Sequence, residues 1–210
     1  MDKIKVVAGA TLALLITCAG CYRNSNQQLN FENEMEQKAV SANLRTADEW
    51  VSSPLRNRLT LKLNRNVEEV WALVGDPANM PQYSDGLRKV ETEFDEAGNC
   101  TAYTCYFKPV DGVNEEIIHH TTIIWHERNT GWASLDPEVN PFGMLQSLSL
   151  MTLEADEEQT VFKWQFHFNC ENEMMLNFNK DGYKSALDDI SQRLIKKFGG
   201  TQLENFVEGS

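Results

Sequence analysis

Residues 160–169, TVFKWQFHFN, alternate strictly: Phe162, Trp164, Phe166 and Phe168 share one parity, Lys163, Gln165, His167 and Asn169 the other. Successive side chains of a strand point to opposite faces, so this segment reads as a strand with one wholly aromatic face. Such a face must be covered by another element. The cover follows directly. Tyr183, Leu187, Ile190, Leu194 and Phe198 recur at helical spacing, and Gly199-Gly200 reads as the stop. A sheet gripped against a long C-terminal helix is what these two segments require of each other. His167, on the polar parity, is expected in solvent.

The segments upstream fit the same plan. RLTLKLN places Leu59, Leu61 and Leu63 on one face and Arg58, Thr60 and Lys62 on the other. NRNVEEVWALVGDP then offers Asn66 as a helix cap with Glu69 three residues on, Val67, Val70, Trp71 and Val74 at helical spacing, and Gly75-Asp76-Pro77 as a terminator. Asp76 is expected to hold the turn into a second short helical segment ending at Gly86. After that come KVETEF, CTAYTCYF, EEIIHHTTIIWHE, TGWASLD, MLQSLSLMTLE and the aromatic strand, separated by turn residues. The order is strand, two helices, six strands, long helix, an α+β arrangement.

The run EEIIHHTTIIWHE, residues 115–127, is made of doublets, so its two faces carry nearly the same residues and its register is ambiguous. The tie breaks only at its end, where Trp125 extends the odd parity and His126 the even one. This puts His119, Thr121 and Trp125 inward and His120 and His126 outward, unless a bulge intervenes. An inward His119 either hydrogen-bonds a Thr, Tyr or Glu of a neighbouring strand or serves a ligand as hydrogen-bond partner or general base. Glu115, ~13 Å away along the strand, is too distant to be its partner.

The N-terminus has a separate purpose. Lys3 and Lys5 precede the apolar run of residues 6–16, too short to span a bilayer, and small residues follow in TCAGC. Residues 1–20 therefore read as a signal peptide. Ala19-Gly20-Cys21 resembles a bacterial lipobox, with Cys18 where an aliphatic residue is usual. Cys21 is the expected lipidation site, and Tyr22 after it, by resemblance to Gram-negative lipoproteins, favours the outer membrane. The protein is thus expected in the bacterial cell envelope, lipid-anchored and facing the periplasm. Residues 21–54 read as a polar tether, 55–200 as the folded domain and 201–210 as a tail.

Charge narrows the partners. The chain is at −12, and removing residues 1–20 takes away Asp2, Lys3 and Lys5, leaving −13. No basic stripe survives, which excludes a nucleic-acid partner and electrostatic attraction to anionic lipid, so membrane contact is expected through the anchor only. Cys100, Cys105 and Cys170 match no zinc spacing and read as free, buried thiols. No metal or cofactor is expected.

The element order, with Val67, Val70 and Trp71, Gly75-Asp76, Tyr83 and Gly86, resembles the START-like (SRPBCC) superfamily, and within it the polyketide cyclase/dehydrase and lipid-transport group. Gly112 followed by Glu115 or Glu116, Pro141, TVFKW and the long terminal helix extend the resemblance over residues 57–200. It implies a helix-grip fold, a curved seven-stranded antiparallel sheet wrapped around the C-terminal helix. It also implies a cavity between them for a hydrophobic small molecule such as a lipid or polyketide. Tyr83, Tyr103, His119, Trp132, Trp164, Phe166 and Tyr183 are the candidate lining residues. The superfamily has no common catalytic set, so no catalytic residue follows from the resemblance, and a lipoprotein signal departs from its mostly cytosolic members. Binding or transport is the expected function. A cyclase, dehydratase or hydrolase using His119 as base is the alternative. A filled core with no cavity would make the chain an envelope interaction module.

Overall fold

A computed structural model describes residues 45–109 and 116–209. The expected signal peptide, Cys21, Gly112 and Glu115 lie outside the described residues. Eight antiparallel strands form one curved sheet: β1 (Leu55–Leu63), β2 (Leu87–Phe94), β3 (Cys100–Phe107), β4 (Ile118–Glu127), β5 (Gly131–Asp136), β6 (Met144–Asp156), β7 (Gln159–Cys170) and β8 (Gly200–Val207). Their spatial order is β2-β3-β4-β5-β6-β7-β1-β8. Helix α1 (Val67–Val74) and a 3-10 turn (Pro77–Gln82) join β1 to β2, and α2 (Glu173–Phe198) lies between β7 and β8.

Each helix starts where its cap dictates. The Asn66 side chain accepts from the Glu69 amide at 3.0 Å, and Asn172 accepts from the Met175 amide at 3.0 Å. Asp76 caps the 3-10 turn by accepting from the Ala78 amide at 2.9 Å, the turn-holding role expected of it. The inner face of the sheet and the helices share one core, in which Leu59, Leu61, Leu63, Phe162, Phe168, Leu187 and Leu194 are fully or almost fully buried. The aromatic parity of β7 and the odd parity of β1 face it, as their alternation predicts.

Three features differ from the expectation. First, the sheet has eight strands instead of seven. Residues 200–207, expected to trail off, pair with the free edge of β1 from Asn57↔Val207 to Leu63↔Gly200. The double glycine both ends α2 and reverses the chain. Gly200 has φ +116, and a Cβ there would stand 2.1 Å from the Lys62 carbonyl oxygen, so only glycine fits. Second, β4 has a bulge between Ile123 and Trp125. The inward parity of His119, Thr121 and Ile123 therefore switches, and the bulge corrects the expected sides of Trp125 and His126. Trp125 packs on the outer face, 6.2 Å from Trp50. His126 turns to the helix side, where Nε2 donates to the Gly75 carbonyl at 3.0 Å and the ring lies 5.3 Å from Trp71. Third, the outer face is not bare. Residues 47–51, within the stretch expected as tether, lay Ala47, Trp50 and Val51 over Ala133, Leu148 and Leu150 in a second apolar cluster.

Candidate functional site

The candidate aromatics assemble on the inner face into one connected chain of rings. Tyr103 meets Trp132 edge-on at 5.9 Å, Trp132 meets Trp164 at 5.6 Å, and Trp164 meets Phe166 at 5.4 Å. Tyr183, on α2, stacks on Phe166 at 4.2 Å, and Tyr83 approaches Trp164 edge-on at 6.4 Å. Edge-to-face and offset geometries are those the ring quadrupoles favour. Each polar tip with a partner is used structurally. Trp132 Nε1 donates to the Val74 carbonyl at 3.0 Å, Trp164 Nε1 to Ser149 Oγ at 2.7 Å, and the Tyr103 hydroxyl pairs with Ser134 Oγ at 2.9 Å. Tyr83, Tyr103 and Trp132 are buried in the core cluster. Among the candidates, Phe166 and Tyr183 line a void.

That space is small. A void of about 20 Å³ is enclosed by Ser134, Asp136, Ser147, Leu148, Ser149, Phe166, Phe168 and Tyr183. It is room for about one water. Its floor is polar because β5 and β6 present serines inward at 134, 147 and 149, small side chains opposite large rings. Burial, with Asp136 and two cysteines adding, holds the Tyr183 hydroxyl well above the ordinary tyrosine range, so it stays a neutral phenol. No described residue hydrogen-bonds it. The Cys105 thiol is pushed up to about 12 by burial and by Asp136, so it too stays protonated. Cys100, Cys105 and Cys170 are free, the first two buried.

His119 faces inward, and its partner is none of those foreseen. Nε2 lies 2.8 Å from Oδ2 of Asp136 at the end of β5, and the ring stands edge-on to Phe142 at 5.6 Å. Asp136 also accepts from Ser147 Oγ at 2.8 Å and from Asn140 Nδ2 at 3.0 Å. Asp136, Asn140 and Ser147 are not among the candidates the sequence offers. The available signal was TGWASLDPEVNPFG, in which an acidic residue ends a strand of inward parity and an Asn precedes Pro. His120, by contrast, is exposed and pairs with Thr104 Oγ1 at 3.1 Å. His167 is on the outer face, but residues 45–54 cover it and correct the solvent expectation. Its Nδ1 lies 3.3 Å from the Ser53 carbonyl oxygen, and its Nε2 is sealed off without a partner.

How α2 is held matters as much as what it covers. Its second half buries Leu187, Ile190, Ser191, Leu194 and Phe198, whereas its first half, through residue 182, buries only Asn179. Asn179 Nδ2 donates to the Phe142 carbonyl at 2.9 Å, tying the helix to the β5–β6 loop. On that half Met174 and Phe178 are 81% and 66% exposed. A helix segment with little buried apolar contact is the part that opens at least cost. Among the described residues no helix is long and apolar enough to cross a membrane, and no three His, Cys, Asp or Glu side chains are grouped to hold a metal.

Residues 57–198 match the family described as polyketide cyclase / dehydrase and lipid transport. The chain belongs to that family. Its fold is shared by solved relatives of low identity. A START superfamily protein from Mycobacterium smegmatis superposes with a TM-score of 0.55 at 9% identity, covering 69% of this chain and 97% of that one. A protein from Thermobifida fusca gives 0.50 at 15%, covering 66% and 92%, and Ara h 8.0201 gives 0.50 at 12%, covering 68% and 99%. No curated protein matches the chain. Family and fold together are those of a domain for hydrophobic ligands, and against that background this member's interior is nearly closed.

Proposed function

We propose that this family member binds an apolar small molecule between the inner face of the sheet and the first half of α2, and that it carries or stores that molecule while anchored through Cys21 at the periplasmic side of the bacterial envelope. The observation that carries the reading is the uneven hold on α2. The serine-floored void meets α2 at Tyr183, which follows directly on the half of the helix that buries a single side chain. Lifting this half and turning Tyr183 off Phe166 would join the void to the volume of one aromatic ring, and the ring wall would supply apolar contact. The anchoring rests on the lipobox-like AGC at residues 19–21.

The test is uptake of N-phenyl-1-naphthylamine, a neutral probe that fluoresces in apolar surroundings, by protein beginning at residue 21. Saturable binding is expected, tightened in Tyr183→Ala because that ring is gone. Loss of the fluorescence increase in both proteins would overturn the reading and leave an interaction module with a filled core, which the small size of the void would then favour. For the anchor, Cys21→Ser is expected to move the full chain from the membrane fraction to the soluble one. An unchanged distribution would remove that part.

A further inference from the structure

The void beside Phe166 and Tyr183 has both a charge and a size, and together these select what can enter it. The charge belongs to Asp136, one of its lining residues. Three groups converge on Oδ2 of that carboxyl: His119 Nε2 at 2.8 Å, Ser147 Oγ, which donates at 2.8 Å, and Asn140 Nδ2, which donates at 3.0 Å. An oxygen met by several donors is that of a carboxylate. Burial alone would raise the group, but hydrogen bonds from His119, Thr121 and Asn140 and the nearby imidazole outweigh it and hold it below its ordinary value. The rest of the polar lining is hydroxyl, from Ser134, Ser147, Ser149 and Tyr183. The size, about 20 Å³, admits one heavy atom with its hydrogens. A carboxylate or phosphate head is too large for it and would meet a like charge out of water. A single nitrogen or oxygen fits.

We infer that this void receives the ammonium group of the ligand, so that the protein selects apolar molecules ending in a primary amine over the corresponding alcohols and acids. The inference rests on the ligand-binding reading above and adds the chemical class. Asp136 faces the charge, and the serine oxygens, each able to accept, take further N–H groups. A hydrogen bond between two charged groups is roughly twice as strong as a neutral one, and it gains further where water is shut out. An alcohol offers the same void only a neutral donor. Phe166, Phe168 and Tyr183 complete the lining, and aromatic rings attract a neighbouring cation. The formal charge of −12 on the whole chain enriches cations around it in the same sense. The apolar body of the ligand takes the space freed when the Tyr183 ring turns off Phe166.

The experiment titrates 1-naphthylmethylamine, 1-naphthylmethanol and 1-naphthoic acid by calorimetry into protein beginning at residue 21, with and without N-phenyl-1-naphthylamine as competitor. The three probes share one ring system, and at neutral pH the first is a cation and the last an anion. The wild type is expected to bind the amine at least about tenfold tighter than the alcohol, the difference between a charged and a neutral hydrogen bond, and the acid most weakly. In Asp136→Asn the advantage of the amine over the alcohol should largely disappear. An alcohol or acid that binds the wild type as tightly as the amine would overturn the inference while leaving the ligand-binding reading intact. Amine binding that the competitor does not weaken would do the same, as would a folded Asp136→Asn protein that keeps the full preference. If that variant does not fold, the wild-type comparison decides by itself. Failure of the competitor and all three probes to bind wild type or Tyr183→Ala would overturn both readings.

Discussion

Gly182 lies inside α2, immediately before Tyr183, where the helix changes from exposed to buried. A Cβ built there meets no atom within 4 Å. Replacement by alanine therefore removes the helix-interior penalty of glycine with no steric cost, a gain of about 0.8–1.0 kcal/mol. For a domain of this size that corresponds to a rise in Tm of roughly 2–4 °C. The same increment acts on local opening. If the first half of α2 must lift for a ligand to enter, Gly182→Ala lowers the open population by about fivefold. Urea denaturation measures the global part, and amide exchange over residues 175–184 measures the local part. N-phenyl-1-naphthylamine affinity should weaken by up to about the same factor. A variant that is less stable than wild type would refute the unobstructed helical setting of residue 182. A stabilised variant with slower exchange but unchanged probe affinity would refute the coupling of helix opening to binding.

Gly131→Ala should do the opposite. Its φ is +157, and a Cβ would fall 2.2 Å from the Met151 carbonyl oxygen. The strained backbone alone costs about 1–3 kcal/mol, with separation of β5 from β6 added, so chemical denaturation should show a clear loss. His167 should make stability fall with acid. Burial, reinforced by the charge of Arg58 and only partly offset by the Ser53 carbonyl and Asp48, holds its imidazole below the ordinary 6.5. Between the folded and unfolded values the unfolded chain carries more protons, so stability is full above 6.5 and declines as pH falls through it. His167→Gln should flatten that decline, and an unchanged pH profile would contradict it. The depressed Asp136 acts in a separate window, below its ordinary 3.8. Finally, a chain starting at residue 55 should be less stable than one starting at residue 45 by roughly 1.5–3 kcal/mol for each large side chain, such as Leu148 or Leu150, whose cover it loses. Equal denaturation midpoints would show that residues 45–54 contribute nothing.

Where local chemistry decides, the sequence was sufficient. Asn66 and Asp76 each cap the segment that follows them, because a side-chain oxygen two or three residues ahead of a free amide needs no distant partner. The parity of Phe162, Trp164, Phe166 and Phe168 survived because β7 is central and pairs without interruption from Asp156↔Gln159 to Gln146↔Asn169. Parity failed where a strand carries a bulge. Beyond Ile123 in β4 every side chain exchanges faces, and nothing in WHE announces it. The strand β8 escaped notice because only Val207 of it is buried, leaving GTQLENFV without a clear apolar face. Only the open edge of β1 makes it a strand.

The candidate site divides along the same line. The aromatic wall was legible as a pattern, since burying rings is a property of each residue. The closeness of Phe166 to Tyr183, and hence the closed interior, was not, because it depends on how far a helix sits from a sheet. Asp136 became the partner of His119 only through pairing of strands whose residues are 17 apart in sequence. Local propensity and alternation, both short-range, thus determined the elements, their caps and most of their buried faces. The hydrogen-bonded neighbour of a polar side chain, the register after a bulge and the size of a cavity are set by long-range packing, and these only the tertiary structure decided.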